Sequence, residues 1–266
     1  MIPQAYITEW SSQVPWRTNE QVEQDLVICR ALVEIFSDKF LADRLAFRGG
    51  TALHKLYLEP QPRYSEDIDL VQITNEPFGP VIDALRERLS FLGIPVRKQK
   101  ENNNTLIFRF ESEFPPVQRL RLKVETNCRE HFAVLGLVKI PFNVESSWFK
   151  GSCDITTYQL EELLGTKLRA LYQRRKGRDL YDLYKAFTIK EGLNTCNLIK
   201  CYLEYMKFSV GDSPSQKEFI DNIELKMNDR EFIGDITALL RPTEKYDQSE
   251  AYDRIKNLLV TKLKIL

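Results

Sequence analysis

The 266-residue sequence predicts an α+β protein, with a mixed sheet in its first half and a helical second half. Two patterns carry that prediction. Segments such as Asn104–Phe110 and Arg119–Asn127 alternate apolar and polar side chains, as half-buried strands do. From Tyr158 onward apolar residues recur at helical spacing instead, first at Leu160, Leu163, Leu164, Leu168 and Leu171. The polar, irregular stretch from Pro141 to Asp154 lies between the two regimes. It predicts a sheet-bearing domain with leading helices over 1–150 and a helical domain over 151–266.

Glu20 to Phe36 has the spacing of a helix leading into the sheet. Leu45, Ala46 and Phe47 form the short apolar run of a buried strand, and Thr51 to Leu58 resumes helical spacing at Ala52, Leu53 and Leu56. Gly49 and Gly50 therefore occupy a strand-to-helix turn. There a missing Cβ permits positive φ and close approach by another group, and the free amides of the helix start attract an anion. A tight connection with no ligand would use the same residues. In the next strand, Ser65 to Leu70, Ile68 and Leu70 point inward and Asp67 and Asp69 stand together on the other face. Adjacent carboxylates repel unless a cation lies between them, and hard oxygen ligands on a rigid strand suit magnesium. The plainer alternative is an exposed strand with ordinary charges.

Pro77 to Leu92 reads as a helix crossing between strand groups, and the Pro115-Pro116 turn joins the strands Asn104–Phe110 and Arg119–Asn127. In the second of these Glu125 shares a face with Arg121 and Lys123, either as a third site carboxylate or as a solvated residue. Further helices are predicted over Leu160–Tyr172, Asp179–Phe187, Leu198–Tyr205, Phe219–Met227, Asp235–Leu240 and Glu250–Leu263. Lys167 falls beside the buried stripe of the first, where a lysine either binds a ligand or snorkels to solvent. Asp179 and Asp182 share a face of the next helix, and Asp179 also suits the helix start after Gly177. The cluster Arg174, Arg175, Lys176 and Arg178 either holds RNA phosphates or is a solvated loop. Tyr172, Tyr181 and Tyr184 either stack on bases or belong to the core.

Thirty-eight basic residues balance thirty-eight acidic ones, so bulk charge predicts no avidity for nucleic acid and any RNA contact must be local. The start MIPQAYITEW has no basic segment followed by an apolar core, and no apolar run is long enough to span a bilayer. A cytoplasmic location with no membrane partner is the expectation. Five cysteines without a C-x-x-C spacing read as reduced thiols, and two histidines cannot build a histidine-rich metal centre.

Taken in order, FRGGTALHKL (47–56), RYSEDIDL (63–70), RLKVETN (121–127), EELLGTKLRALYQR (161–174) and GRDLYDLY (177–184) resemble the AbiEii/AbiGii toxin family. These nucleotidyltransferases are the toxin halves of type IV toxin-antitoxin pairs and include the MenT-like toxins. The resemblance extends over nearly the whole chain. It implies a polymerase-β-like nucleotidyltransferase domain followed by a helical one, with Mg2+ as cofactor and an NTP as substrate. It further implies an RNA acceptor, the 3′ end of tRNA, and a cognate antitoxin that is an AbiEi-like regulator. Residue by residue, Gly49, Gly50 and Thr51 would hold the triphosphate, with Lys55 assisting one turn on. Asp67, Asp69 and Glu125 would bind metal. Lys167 would grip phosphates, and Asp182, with Asp179 as its alternative, would be the late essential aspartate. One departure is that sixteen residues, Thr51 to Glu66, separate the glycines from Asp67, more than is usual in the wider superfamily. Two other classes fit the same residues: a catalytically quiet nucleotide- or antitoxin-binding protein, and a small-molecule nucleotidyltransferase like the aminoglycoside-modifying enzymes.

Overall fold

In the computed structural model, which describes residues 2–264, the alternating segments form one seven-stranded mixed sheet. The first half runs α1 (Gln4–Ser11), α2 (Asn19–Ser37), α3 (Lys39–Ala42), β1 (Leu45–Arg48), α4 (Gly49–Leu56), β2 (Asp67–Gln72) and α5 (Gly79–Arg88). It continues through β3 (Val96–Lys100), β4 (Asn103–Glu111), β5 (Arg119–Asn127), β6 (Leu137–Glu145) and β7 (Lys150–Tyr158). The strand order is β3-β4-β5-β2-β1-β7-β6. β2 runs parallel to β5, and β1 to β7, while the other neighbours are antiparallel.

The predicted helix over Glu20–Phe36 is α2, opened by the Thr18 side chain, which accepts from the Gln21 amide at 3.3 Å. It packs on β5 and β7 and is buried along almost its whole length. Leu106, Phe108, Leu122 and Val124 supply the buried face of β4 and β5, each such side chain contributing about 2 kcal/mol when removed from water. The opposite face of these strands exposes Arg109, Arg119 and Arg121.

The segment from Pro141 to Asp154 is not an irregular boundary. It is most of the β6–β7 hairpin, with Pro141 paired to Asp154. Proline hides the strand in the sequence pattern, and it is tolerated because β6 is an edge of the sheet. The first compact unit accordingly comprises the described residues up to Phe132 together with Leu137–Tyr158.

The second unit holds Ala133–Gly136 and the residues from Gln159 on. Its helices are α6 (Leu160–Gln173), α7 (Gly177–Ile189), α8 (Thr195–Val210), α9 (Gln216–Met227), α10 (Arg230–Gly234) and α11 (Gln248–Leu258). The stripe Leu163, Leu164, Leu168 and Leu171 is wholly or almost wholly buried. At Gly165 α6 and α8 approach so closely that a Cβ would stand 2.7 Å from Cys201 Cβ and 2.9 Å from the Leu198 carbonyl oxygen. Residues 133–136 join this unit because the buried Glu162 carboxylate accepts from the Val134 and Leu135 amides (2.8 and 2.9 Å) and from the Tyr205 hydroxyl (2.8 Å). The helix expected over Asp235–Leu240 does not form; α10 precedes it and ends at Gly234, a poor helix residue, after which the chain turns. Among the described residues no helix is long and apolar enough to cross a membrane.

Candidate active site

The site in the first unit begins where β1 meets α4. Gly49 has φ +83°, the left-handed region that side chains disfavour. A Cβ built on it would lie 2.2 Å from Asp69 Oδ2 and 2.9 Å from Asp69 Cβ. Glycine is therefore required twice, for the turn and for the carboxylate pressed against it. Strand register brings Arg48 opposite Asp69, Asp67 opposite Lys123 and Asp69 opposite Glu125.

Thr51 is 1 % exposed, and its hydroxyl donates to the backbone carbonyl of Asp67 and meets Ser65 Oγ at 2.8 Å. It ties the head of α4 to the start of β2 and so sets the position of Asp67. Lys55 is placed in the interior, its Nζ 2.9 Å from Asp25 Oδ1 and 3.2 Å from Cys29 Sγ. Burial, the largest single influence, lowers its pKa, but the charges and hydrogen bonds of Asp25 and Cys29 together outweigh it and raise the pKa. Trp10 Nε1 donates to the other Asp25 oxygen at 3.0 Å. This lysine braces α4 against α2, an assignment that lay outside the sequence motif because Asp25 belongs to a distant segment.

Burial, reinforced by the charge of Asp69, pushes the Asp67 carboxyl up to about 6. A cation lying between the two carboxylates would relieve that repulsion and favour the ionised form. Glu125 shares their face but is otherwise engaged: its carboxylate pairs with Lys123 and accepts from Asn103 Nδ2 at 2.9 Å. Among the described residues no group of three acids, thiols or imidazoles converges closely enough to share one ion. Asp67 and Asp69 fit a magnesium ion in chemistry and in their shared face, whereas Glu125 joins them only by leaving Lys123. Lys123 and Asn103 were not singled out from the sequence. Lys123 had a signal, its alternation with Glu125, but Asn103 depends on the β4–β5 register.

In the second unit Lys167 reaches both candidate aspartates, with Nζ 3.2 Å from Asp179 Oδ1 and 2.8 Å from Asp182 Oδ2. Arg174 clamps Asp179 with two contacts of 2.7 and 2.8 Å. Both carboxylates are fully buried. Both candidate aspartates thus belong to one network joining α6 to α7. The rest of the basic cluster is also paired: Arg175 with Asp229 (3.4 Å), Lys176 with Asp235 (3.3 Å), and Arg178 with both Asp235 oxygens (2.8 Å each). Tyr172 stacks on Phe219 and Tyr181 packs edge-on against Tyr246, so these rings serve the helical core.

The family model described as "Nucleotidyl transferase AbiEii toxin, Type IV TA system" matches residues 30–257. The chain belongs to the AbiEii nucleotidyltransferase toxin family. Among solved structures it resembles MenT4, a nucleotidyltransferase toxin from Mycobacterium tuberculosis H37Rv, at 16% identity and a TM-score of 0.67, covering 100% of this chain and 91% of that one. It also resembles an H. pylori protein assigned as a nucleotidyltransferase, at 17% identity and a TM-score of 0.55, covering 94% of this chain and 98% of that one. At these identities the likeness is one of fold. No curated protein matches the chain in sequence.

For this AbiEii-family chain, Gly49→Ala is the sharpest local probe. Forcing a Cβ into a left-handed turn costs about 1–2 kcal/mol, and the clash drives Asp69 aside. A melting-temperature loss of a few degrees is expected together with loss of nucleotidyl transfer. An active, equally stable alanine variant would show that the turn does not control Asp69.

Proposed function

We propose that this AbiEii-family nucleotidyltransferase is magnesium-dependent and transfers a nucleoside monophosphate from an NTP to a hydroxyl at the 3′ end of RNA, with tRNA as the acceptor. The observation that carries this reading is the Asp67–Asp69 pair on one strand face, packed against the left-handed Gly49 turn at the head of α4. Magnesium held there would neutralise triphosphate charge and lower the pKa of the attacking hydroxyl. Asp67 and Asp69 would hold the ion. The amides at the start of α4, at Gly50 and Thr51, supply hydrogen bonds and a favourable dipole for phosphate oxygens. The acceptor hydroxyl gives up its proton to solvent water, its oxygen forms a bond to the α-phosphorus, the bond from that phosphorus to the bridging oxygen breaks, and pyrophosphate leaves. Lys123, poised on Glu125, offers a positive charge on the same face.

An altered tRNA end would block aminoacylation and arrest growth, and a cognate antitoxin would restrain the toxin, consistent with the family's type IV systems. The test incubates purified protein with magnesium, each labelled NTP in turn, and total tRNA. Label is expected on RNA, and chelation with EDTA should abolish it. Label on small molecules alone, or continued growth arrest by Asp69→Asn, would overturn the proposal.

A further inference from the structure

The open face of β3, β4 and β5 carries charge that nucleotide chemistry does not use. Side chains paired across strands share a face, so register extends the row Asp69–Glu125 to Thr105 and Lys98. One step along the strands is the row Asp67, Lys123, Ile107 and Val96. The next step sets Arg121 directly opposite Arg109, and the one after it sets Arg119 opposite Glu111. Lys98, Arg109, Arg119 and Arg121 are exposed, and among the described residues no ion pair is found at any of them. That contrasts with Arg174, Arg175, Lys176 and Arg178, whose charges are met by Asp179, Asp229 and Asp235.

Two arginines facing each other across a ladder destabilise it. An anion lying over both would relieve the opposition. Residues two apart on a strand repeat every ~6.6 Å, a step similar to that between successive phosphates of an extended nucleic-acid strand. Val96, 45% exposed, adds apolar surface in the row that leads to Asp67, against which a ribose or base can rest.

We propose that this face binds the phosphate backbone of a single-stranded RNA and leads its end to Asp67 and Asp69. The inference rests on the RNA-directed reading of the function, and it moves acceptor binding from the 174–178 cluster to the sheet. The chain's zero net charge makes the strip a local feature on an otherwise balanced molecule.

The test measures affinity of the full chain for a fluorescein-labelled, unstructured RNA oligonucleotide in EDTA without NTP, across a salt series. Arg109→Gln/Arg121→Gln is expected to weaken binding at least ~10-fold and to reduce the slope of log affinity against log salt by about 1.4, two phosphate contacts at ~0.7 each. The melting temperature should be retained or slightly raised, which reports that the fold is intact. Arg175→Gln/Lys176→Gln should bind as the unsubstituted chain does. Unchanged affinity in the sheet variant, affinity lost only in the 175/176 variant, or no RNA binding by the unsubstituted chain would overturn the proposal. Label transferred to RNA by a sheet variant of unaltered affinity would sink the surface and leave the function standing. RNA held through Arg109 and Arg121 with no transfer from any NTP would sink the function and leave the surface standing.

Discussion

Asparagine in place of Asp67 is expected to abolish nucleotidyl transfer while raising the melting temperature of the metal-free protein above pH 7. The cause is the carboxyl's own environment. Burial and the neighbouring Asp69 lift its pKa from the ordinary 3.8 to about 6. Between those values the folded state binds a proton that the unfolded chain has released. Stability is therefore fully present below the unfolded pKa, is lost as pH rises through about 6, and stays level above that. A shift of this size corresponds at most to about 3 kcal/mol, and solvent at the half-buried group reduces that to about 1–2 kcal/mol. Removing the charge recovers it, roughly 2–6 °C for a chain of this length. Transfer should fall by ~10³-fold or more, about 4 kcal/mol of barrier. Scanning calorimetry at pH 5 and pH 8, with and without magnesium, checks both halves. Magnesium should stabilise the unsubstituted chain at pH 8 and leave Asp67→Asn unmoved. A less stable Asp67→Asn in EDTA at pH 8 would contradict the strained-pair account.

Lys167→Met is expected to cost about 3–5 kcal/mol of folding stability, because it withdraws a cation from two wholly buried carboxylates. The loss should show in urea unfolding followed by circular dichroism. A double-mutant cycle with Asp182→Asn separates this coupling from other effects, with an interaction energy of about 1–3 kcal/mol expected. Lys167→Arg keeps the charge and should recover most of the stability. If that variant is well folded yet its KM for NTP rises sharply, the ammonium also grips phosphate. A Lys167→Met protein within about 0.5 kcal/mol of the unsubstituted chain would show that the network is not what holds α6 to α7.

Motifs whose parts are close in sequence were readable without coordinates. The glycine pair, the Asp67–Asp69 alternation and the leucine stripe of α6 each follow from backbone geometry within a few residues, and the structure has the matching turn, strand and helix. A sheet followed by helices was equally open to inspection, because periods of two and of 3.6 residues are local properties. The β6–β7 hairpin was hidden because Pro141 interrupts the edge strand β6, despite its Val138, Ile140, Phe142, Val144 alternation, and because β7 (KGSCDITTY) carries polar residues on both faces. α10 was misplaced because its start depends on the Asp229 cap and its end on Gly234, both weak signals in a short helix.

What a side chain does with its charge was decided by partners far along the chain. Lys55 stood in the nucleotide motif until Asp25 took its ammonium, and the 174–178 cluster resembled an RNA patch until Asp229 and Asp235 met its cations. Glu125 was aligned with Asp69 by strand register and then claimed by Lys123. Electrostatic pairing acts through space at a few ångströms, whereas sequence reports only neighbours along the chain. The residue types needed for nucleotidyl transfer were therefore set by the chain, and which of them keep their charge available was set by the fold.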